Sequence, residues 1–169
     1  MYRWRGASTP VPLLLHVCLW LNFLVKITIA WIGKTKEPAI QALTNEYLKR
    51  LGRYADVEGL ALKDETALLK FCARGARPHM LVLLDGKGRQ LSSEELAGWL
   101  HEHQVRNALP LLFAIGPADG FSDEARRASK FVLSLGKMTL AHELARVVLL
   151  EQLYRAFTIL KAHPYHLGH

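Results

Sequence analysis

Two side chains near the carboxyl end of this 169-residue chain stand at a spacing that could do chemistry. His142 and Arg146 are four residues apart, so on a helix they project from one face. An imidazole is the side chain whose ordinary titration lies nearest neutrality, which suits it to exchange a proton. A guanidinium is a fixed cation with a fork of donors, suited to a phosphate or to an oxyanion developing during a reaction. Both residues follow directly on Phe131-Val-Leu-Ser-Leu135, Gly136-Lys137 and Met138-Thr-Leu-Ala141. That order reads as a strand buried on both faces, a glycine break, and the start of a long helix running to Ala162. Backbone N–H and C=O groups at such a junction can face a ligand. The structural alternatives are equally concrete. His142 could bond backbone at a helix start, and Arg146 could pair with Glu143 or sit in a dimer contact.

Strands and helices alternate ahead of this junction. Leu24–Ile32 is β-branched and aromatic, hence a strand, and Gly33 ends it. The basic loop Gly33–Pro38 contains Gly-Lys-Thr but lacks the upstream glycine of a phosphate-binding P-loop. A helix is expected over Glu37–Leu51, with Pro38 in its first turn and Ile40, Leu43, Tyr47, Leu48 and Leu51 as its buried stripe. Lys49, Arg50 and Arg53 complement its dipole and could equally touch phosphate. Val57–Leu62 reads as a second strand, and Asp64 as the N-cap of a helix reaching Arg74. Met80–Leu84 is an apolar central strand closed by a polar loop, Asp85–Gly88. Ser92 and Glu95 form a capping box for a helix to about Arg106. Leu109–Ile115 is another buried strand, and Ser122–Lys130 a short helix. This alternation is the α/β pattern with a largely parallel sheet. Three apolar strands finish on glycine, at Leu84-Asp-Gly86, Ile115-Gly116 and Leu135-Gly136. In open α/β sheets, ligands sit outside the carboxyl ends of the strands. No loop matches GxGxxG, so a dinucleotide fingerprint is absent.

Composition bounds the function class. Half the residues are apolar, enough for a core, and the length suits one domain. Cys18 and Cys72 match no metal spacing, so no metal is expected, and a reduced, cytoplasmic setting is the simpler reading. The net charge of +7 fits a polyanionic partner such as nucleic acid. Met1–Phe23 carries Arg3 and Arg5 ahead of an apolar run, the outline of a signal peptide without its cleavage site. As a membrane span it would bury His16, Asn22 and Lys26, so no membrane partner is expected. Residues 1–23 therefore read as an N-terminal extension, disordered or a mis-assigned start, and 24–169 as the domain. Without the extension, 20 basic residues remain against 15 acidic ones, and +5 survives.

A resemblance rests on particular motifs. Leu84-Asp-Gly-Lys-Gly88, Ile115-Gly-Pro-Ala-Asp-Gly-Phe-Ser122, Leu135-Gly-Lys-Met-Thr-Leu-Ala-His142, Glu151-Gln-Leu-Tyr-Arg-Ala-Phe157 and His163-Pro-Tyr-His166 resemble the ribosomal RNA large subunit methyltransferase H family. Members of that family are SPOUT-class enzymes methylating N3 of a pseudouridine in large-subunit (23S) ribosomal RNA. The likeness runs from about Leu24 to His166. It implies a SPOUT-type, mostly parallel α/β sheet with helices on both faces and a C-terminal trefoil knot. It implies an S-adenosyl-L-methionine site in that knot, a homodimer, and the ribosome as partner. Cofactor-binding positions carry over to Leu84, Gly116, Leu135, Gly136, Lys137, Met138, Thr139 and Leu140. His142 and Arg146 match a His and an Arg opening the family's last helix, the expected catalytic pair. Arg146, Tyr165 and His166 are the expected RNA-binding residues, the last two in a tail that approaches the target. Leu144, Val147, Val148, Tyr154 and Phe157 are expected in the core or a dimer interface. One departure is Pro117, where the family usually has a second glycine. Proline removes that backbone donor and pushes Gly116 toward an extended conformation.

Overall fold

The apolar runs become five strands, β1 (Lys26–Ile32), β2 (Asp56–Leu62), β3 (Met80–Gln90), β4 (Leu111–Ile115) and β5 (Phe131–Ser134). They alternate with α1 (Pro38–Leu51), α2 (Glu65–Cys72), α3 (Ser93–Arg106), α4 (Asp123–Ala128) and α5 (His142–Leu160). The computed structural model describes residues 25–75, 78–106, 109–117 and 119–167, with the side chains of 166 and 167 excepted. The expected extension 1–23 lies outside them.

Every strand pair is parallel, in the order β2-β1-β4-β3-β5. β4 sits at the centre, with Phe113 beside Ile29 of β1 and Val82 of β3. All five of its residues are buried, as a strand covered on both faces requires. Side chains alternate across the sheet. Ile27, Ile29, Trp31, Val82, Phe113 and Leu133 face one core, which α1, α3 and α5 cover. Ala30, Leu81, Leu83, Leu112 and Ala114 face the other, closed by Leu68 of α2 and Ala125 of α4. Helices thus lie on both faces of the sheet.

Local signals set the helix starts. Asp64 accepts the Ala67 N–H at 2.8 Å and Ser122 accepts the Ala125 N–H at 3.2 Å. Ser92 and Glu95 exchange bonds of 2.7 and 3.1 Å, the reciprocal capping box.

Three expectations need correction. β5 is an edge strand rather than a central one, with Phe131 and Val132 only half-buried, although Leu133 packs into one core and Val132 against the other. β3 does not stop at Leu84. It bulges through residues 85–88 and rejoins β5, with Leu84 and Arg89 both opposite Leu133. Gly88 makes that return possible, since a Cβ there would lie 2.7 Å from the Val132 carbonyl oxygen. In α1, Leu43 is 44% exposed and Thr44 is fully buried instead. The Thr44 hydroxyl donates to the Ile40 carbonyl at 2.8 Å, which removes most of the cost of burying it. Arg50, a candidate for phosphate, binds Glu46 at 2.7 Å and lies over the Tyr47 ring.

Candidate active site

Because the strands are parallel, their carboxyl ends share one edge of the sheet. There the ends of β3, β4 and β5 and the first turn of α5 enclose a cleft of about 630 Å³. Leu84, Gly116 and the whole of 135–140 line it, so all eight expected cofactor residues meet in one place. His142 and Ala145 of α5 close its far side.

Side chains that the sequence reading passed over hold the walls. Ser134 ends β5 and folds the next turn, donating to the Gly136 carbonyl at 2.9 Å and accepting the Gly136 N–H at 3.3 Å. Gly136 sits at φ +145°, a conformation that suits glycine, and a Cβ there would meet nothing within 4 Å. On the opposite wall Asp85, in the β3 bulge, accepts Arg126 Nη2 of α4 at 2.6 Å. Arg126 Nε donates to the Phe121 carbonyl at 3.3 Å, tying in the loop after β4. Burial opposes ionisation of Asp85, but the Lys87 N–H and the Arg126 guanidinium outweigh it and hold its carboxyl below the usual range. Ser122 bonds Glu65 of α2 through both its N–H and its hydroxyl. The signal for Asp85 was in the sequence, since it follows directly on the apolar run Met80–Leu84; its partner 41 residues away was not. Pro117 lines the cleft as well, and its carbonyl accepts the Gly120 N–H at 3.0 Å.

The expected catalytic and RNA-binding residues fall in three different settings. His142 is partly buried and faces the cleft. Arg146 does not line it. The residue is 1% exposed, and its guanidinium lies 4.2 Å from the centroid of the Trp31 ring. Its Nε and Nη2, and Trp31 Nε1 beside it, are buried with no hydrogen-bond partner among the described residues. Burial pushes the Arg146 pKa down, opposed by the charge of Glu143. In the single chain this arginine reaches neither phosphate nor solvent.

Tyr165 stands elsewhere again. It packs edge-on against Tyr154 at 4.7 Å, donates its hydroxyl to Glu151 at 3.2 Å, and lies under Arg155. His166 follows it in the 3-10 turn Pro164–Leu167. Between His142 and this turn runs α5, 19 residues long, or about 27 Å at 1.5 Å per residue. The tail leaves the far end of that helix and folds back along it, so that Tyr165 meets Glu151 and Tyr154 near its middle and stays outside the cleft.

The cleft fits S-adenosylmethionine on several counts. Its volume lies within the usual span of small-molecule sites, roughly 300–1,000 Å³. Leu84, Ile115, Leu135 and Leu140 offer an apolar floor for a base, and three loops present backbone groups. A second cavity of about 490 Å³ opens at the amino-terminal end of the sheet, between α2 and β3. It is mainly apolar, and burial pushes its Cys72 thiol up, away from the nucleophilic thiolate. Among the described residues no group of three or more His, Cys, Asp or Glu could hold a metal.

Comparison with known proteins shows the family. A family described as "Predicted SPOUT methyltransferase" matches residues 25–166. Ribosomal RNA large subunit methyltransferase H of Koribacter versatilis is 58% identical over 146 residues, covering 86% of this chain and all of that one. The protein of the same name from Geotalea daltonii is 39% identical over 155 residues, covering 84% and 99%. Solved structures share the fold at low identity. A probable methylase family protein of Haemophilus influenzae gives a TM-score of 0.56 at 12% identity, over 85% of this chain and 71% of that one. The SpoU methyltransferase AviRb of Streptomyces viridochromogenes, in complex with AdoMet, gives 0.50 at 15%, over 77% of this chain and 57% of that longer one. From residue 25 to residue 166, the chain belongs to the ribosomal RNA large subunit methyltransferase H family of SPOUT methyltransferases.

Proposed function

We propose that this protein transfers a methyl group from S-adenosyl-L-methionine to N3 of a pseudouridine in 23S ribosomal RNA, acting on the ribosome. The observation that carries the reading is the meeting of Leu84, Gly116 and residues 135–140 in one cleft beside His142. When bound, the cofactor supplies an electrophilic methyl carbon on its sulfonium. The imide N3–H of the base must lose its proton as the nitrogen attacks, so the chain's task is alignment and proton removal. His142 stands where it can accept that proton or orient the base. Arg146 is held in reserve on Trp31. If the first turn of α5 shifts on substrate binding, its forked donors become available to a phosphate or to uracil oxygen. Residues 24–169 carry this activity.

Homodimer formation completes the site in this reading. Tyr165 packs on Tyr154 and Glu151, about two and a half turns along α5 from His142, and does not line the cleft of its own chain, so the tail serves a partner's cleft. Leu43 of α1 and Leu144 of α5, at 44% and 49% exposure, supply apolar surface for such a contact. A trefoil knot in the C-terminal half accords with β4 inserted between β1 and β3, and with α5 folding back over α1 and α3. No helix among the described residues is long and apolar enough to cross a membrane, and we place the protein in the cytoplasm with its ribosomal substrate. The test is transfer of tritium from labelled cofactor to ribosomes lacking the modification, with the labelled base then mapped. Label on N3 of a single pseudouridine is expected. Tight ribosome binding without transfer would mark a catalytically silent RNA-binding protein instead.

A further inference from the structure

We infer that the loop Gly33–Glu37 is a phosphate-gripping lip for the RNA strand, coupled to the catalytic helix through Glu143. The inference rests on the RNA substrate proposed above. β1 ends at the same sheet edge as the cleft, and its chain turns outward at Gly33, whose N–H bonds the Leu62 carbonyl at 2.8 Å. Lys34 and Lys36 then project as exposed side chains. The Lys36 N–H donates to Glu143 Oε1 at 2.8 Å. Glu143 is the second residue of α5 and adjoins His142, which lines the cleft. The lip is therefore pinned one residue away from the group facing the reacting base.

Charge at this edge is unbalanced. Lys34, Lys36, Lys63 and Lys137 follow strand ends, Lys87 sits in the β3 bulge, and all five are exposed. The nearby acids are engaged elsewhere. Asp64 caps α2, Glu65 holds Ser122, Asp85 holds Arg126, and Glu143 holds the lip backbone. Glu37 and Asp119 are the remaining acids there, and no ion pair joins any of these lysines to an acid among the described residues. Unpaired cations around the mouth of a cleft suit a polyanion. Lys34 and Lys36 do not line the cleft itself, so cofactor binding should not depend on them.

The test uses the full chain, ribosomes lacking the modification, and tritiated cofactor over a range of salt. Lys34→Ala/Lys36→Ala should raise KM for ribosomes roughly tenfold at moderate salt. Two lost phosphate contacts should flatten the plot of log affinity against log salt by about 1.4. The Kd for S-adenosylmethionine, measured calorimetrically, should not move, which also shows that the variant is folded. Lys34→Arg/Lys36→Arg should restore KM, because charge is what is used. Glu143→Ala should raise KM, and Glu143→Gln, which keeps an acceptor oxygen for the lip, should recover most of the loss. Unchanged KM and salt slope in the double alanine variant, with the wild type methylating, would overturn the lip and leave the proposed function standing. A wild type that never labels ribosomal RNA would instead remove the proposed function, and the lip with it.

Discussion

At the scale of single residues, the cleft depends on backbone shape more than on side-chain reach. Gly136 shows this, because its φ of +145° is one that a branched residue adopts only under strain. Gly136→Val should weaken cofactor affinity roughly tenfold or more, because holding a branched residue in this glycine-only backbone region costs about 1–3 kcal/mol. Calorimetry on the folded variant reads this directly, and wild-type affinity would remove the Ser134–Gly136 turn from the site. Arg146 poses the opposite problem, a buried cation with donors left over. Replacing buried ionic groups by apolar side chains of similar size is often neutral or stabilising. Arg146→Met should therefore keep or raise Tm. If the guanidinium is used in transfer, kcat should nonetheless fall by about a hundredfold, with cofactor affinity unchanged. A variant equally stable and equally fast would leave Arg146 with no role beyond packing on Trp31.

At the scale of elements, the caps give the cleanest forecasts. Ser92→Ala breaks the bond to the Glu95 N–H and should cost about 1 kcal/mol in denaturant unfolding. Tyr165 ties the middle of α5 to the tail. Burial, then hydrogen bonding with Tyr47 and the charge of Glu151, push its pKa up to about 12. A raised pKa favours the neutral phenol in the fold, so its stabilisation is intact below about pH 10 and is lost as pH rises toward about 12. Wild-type stability should fall across that window more steeply than that of Tyr165→Phe. The caps at Asp64 and Ser92 were legible in the sequence because each is closed within three residues. The position of β5 was not. A continuous apolar run such as Phe131–Leu135 states that a strand is apolar, not which neighbours it will find, and the edge place follows from the sheet order. Helical spacing likewise picked Leu43 for the α1 stripe, whereas the core admits Thr44, whose hydroxyl is satisfied within its own helix. The cleft residues could be named from motifs and strand ends. The burial of Arg146 could not, since it depends on a tryptophan 115 positions earlier.

At the scale of the whole molecule, a tail that packs on the middle of α5 and stays out of its own chain's cleft makes a quantitative forecast. His142→Ala and a chain truncated after Ala162 should each be nearly inactive alone. If each site joins a cleft from one chain and a tail from the other, an equal mixture of exchanging subunits places half the dimers in mixed form. Each mixed dimer then holds one intact site, so about a quarter of wild-type turnover should return. No recovery in verified mixed dimers would mean that the tail serves its own chain or none. The sheet order also bears on how this protein is made. β1 bonds β2 on one side but waits for β4 on the other, with Ile27 beside Leu111. A ribosome adding about 5–20 residues per second releases Leu111 several seconds after β1, and until then one edge of the first strand has no partner. The nascent chain thus cannot consolidate strand by strand. Its centre arrives late, and its last helix closes over strands laid down long before. Refolding from denaturant should accordingly show a dominant phase in the slow range of non-local β topologies, milliseconds to seconds or longer.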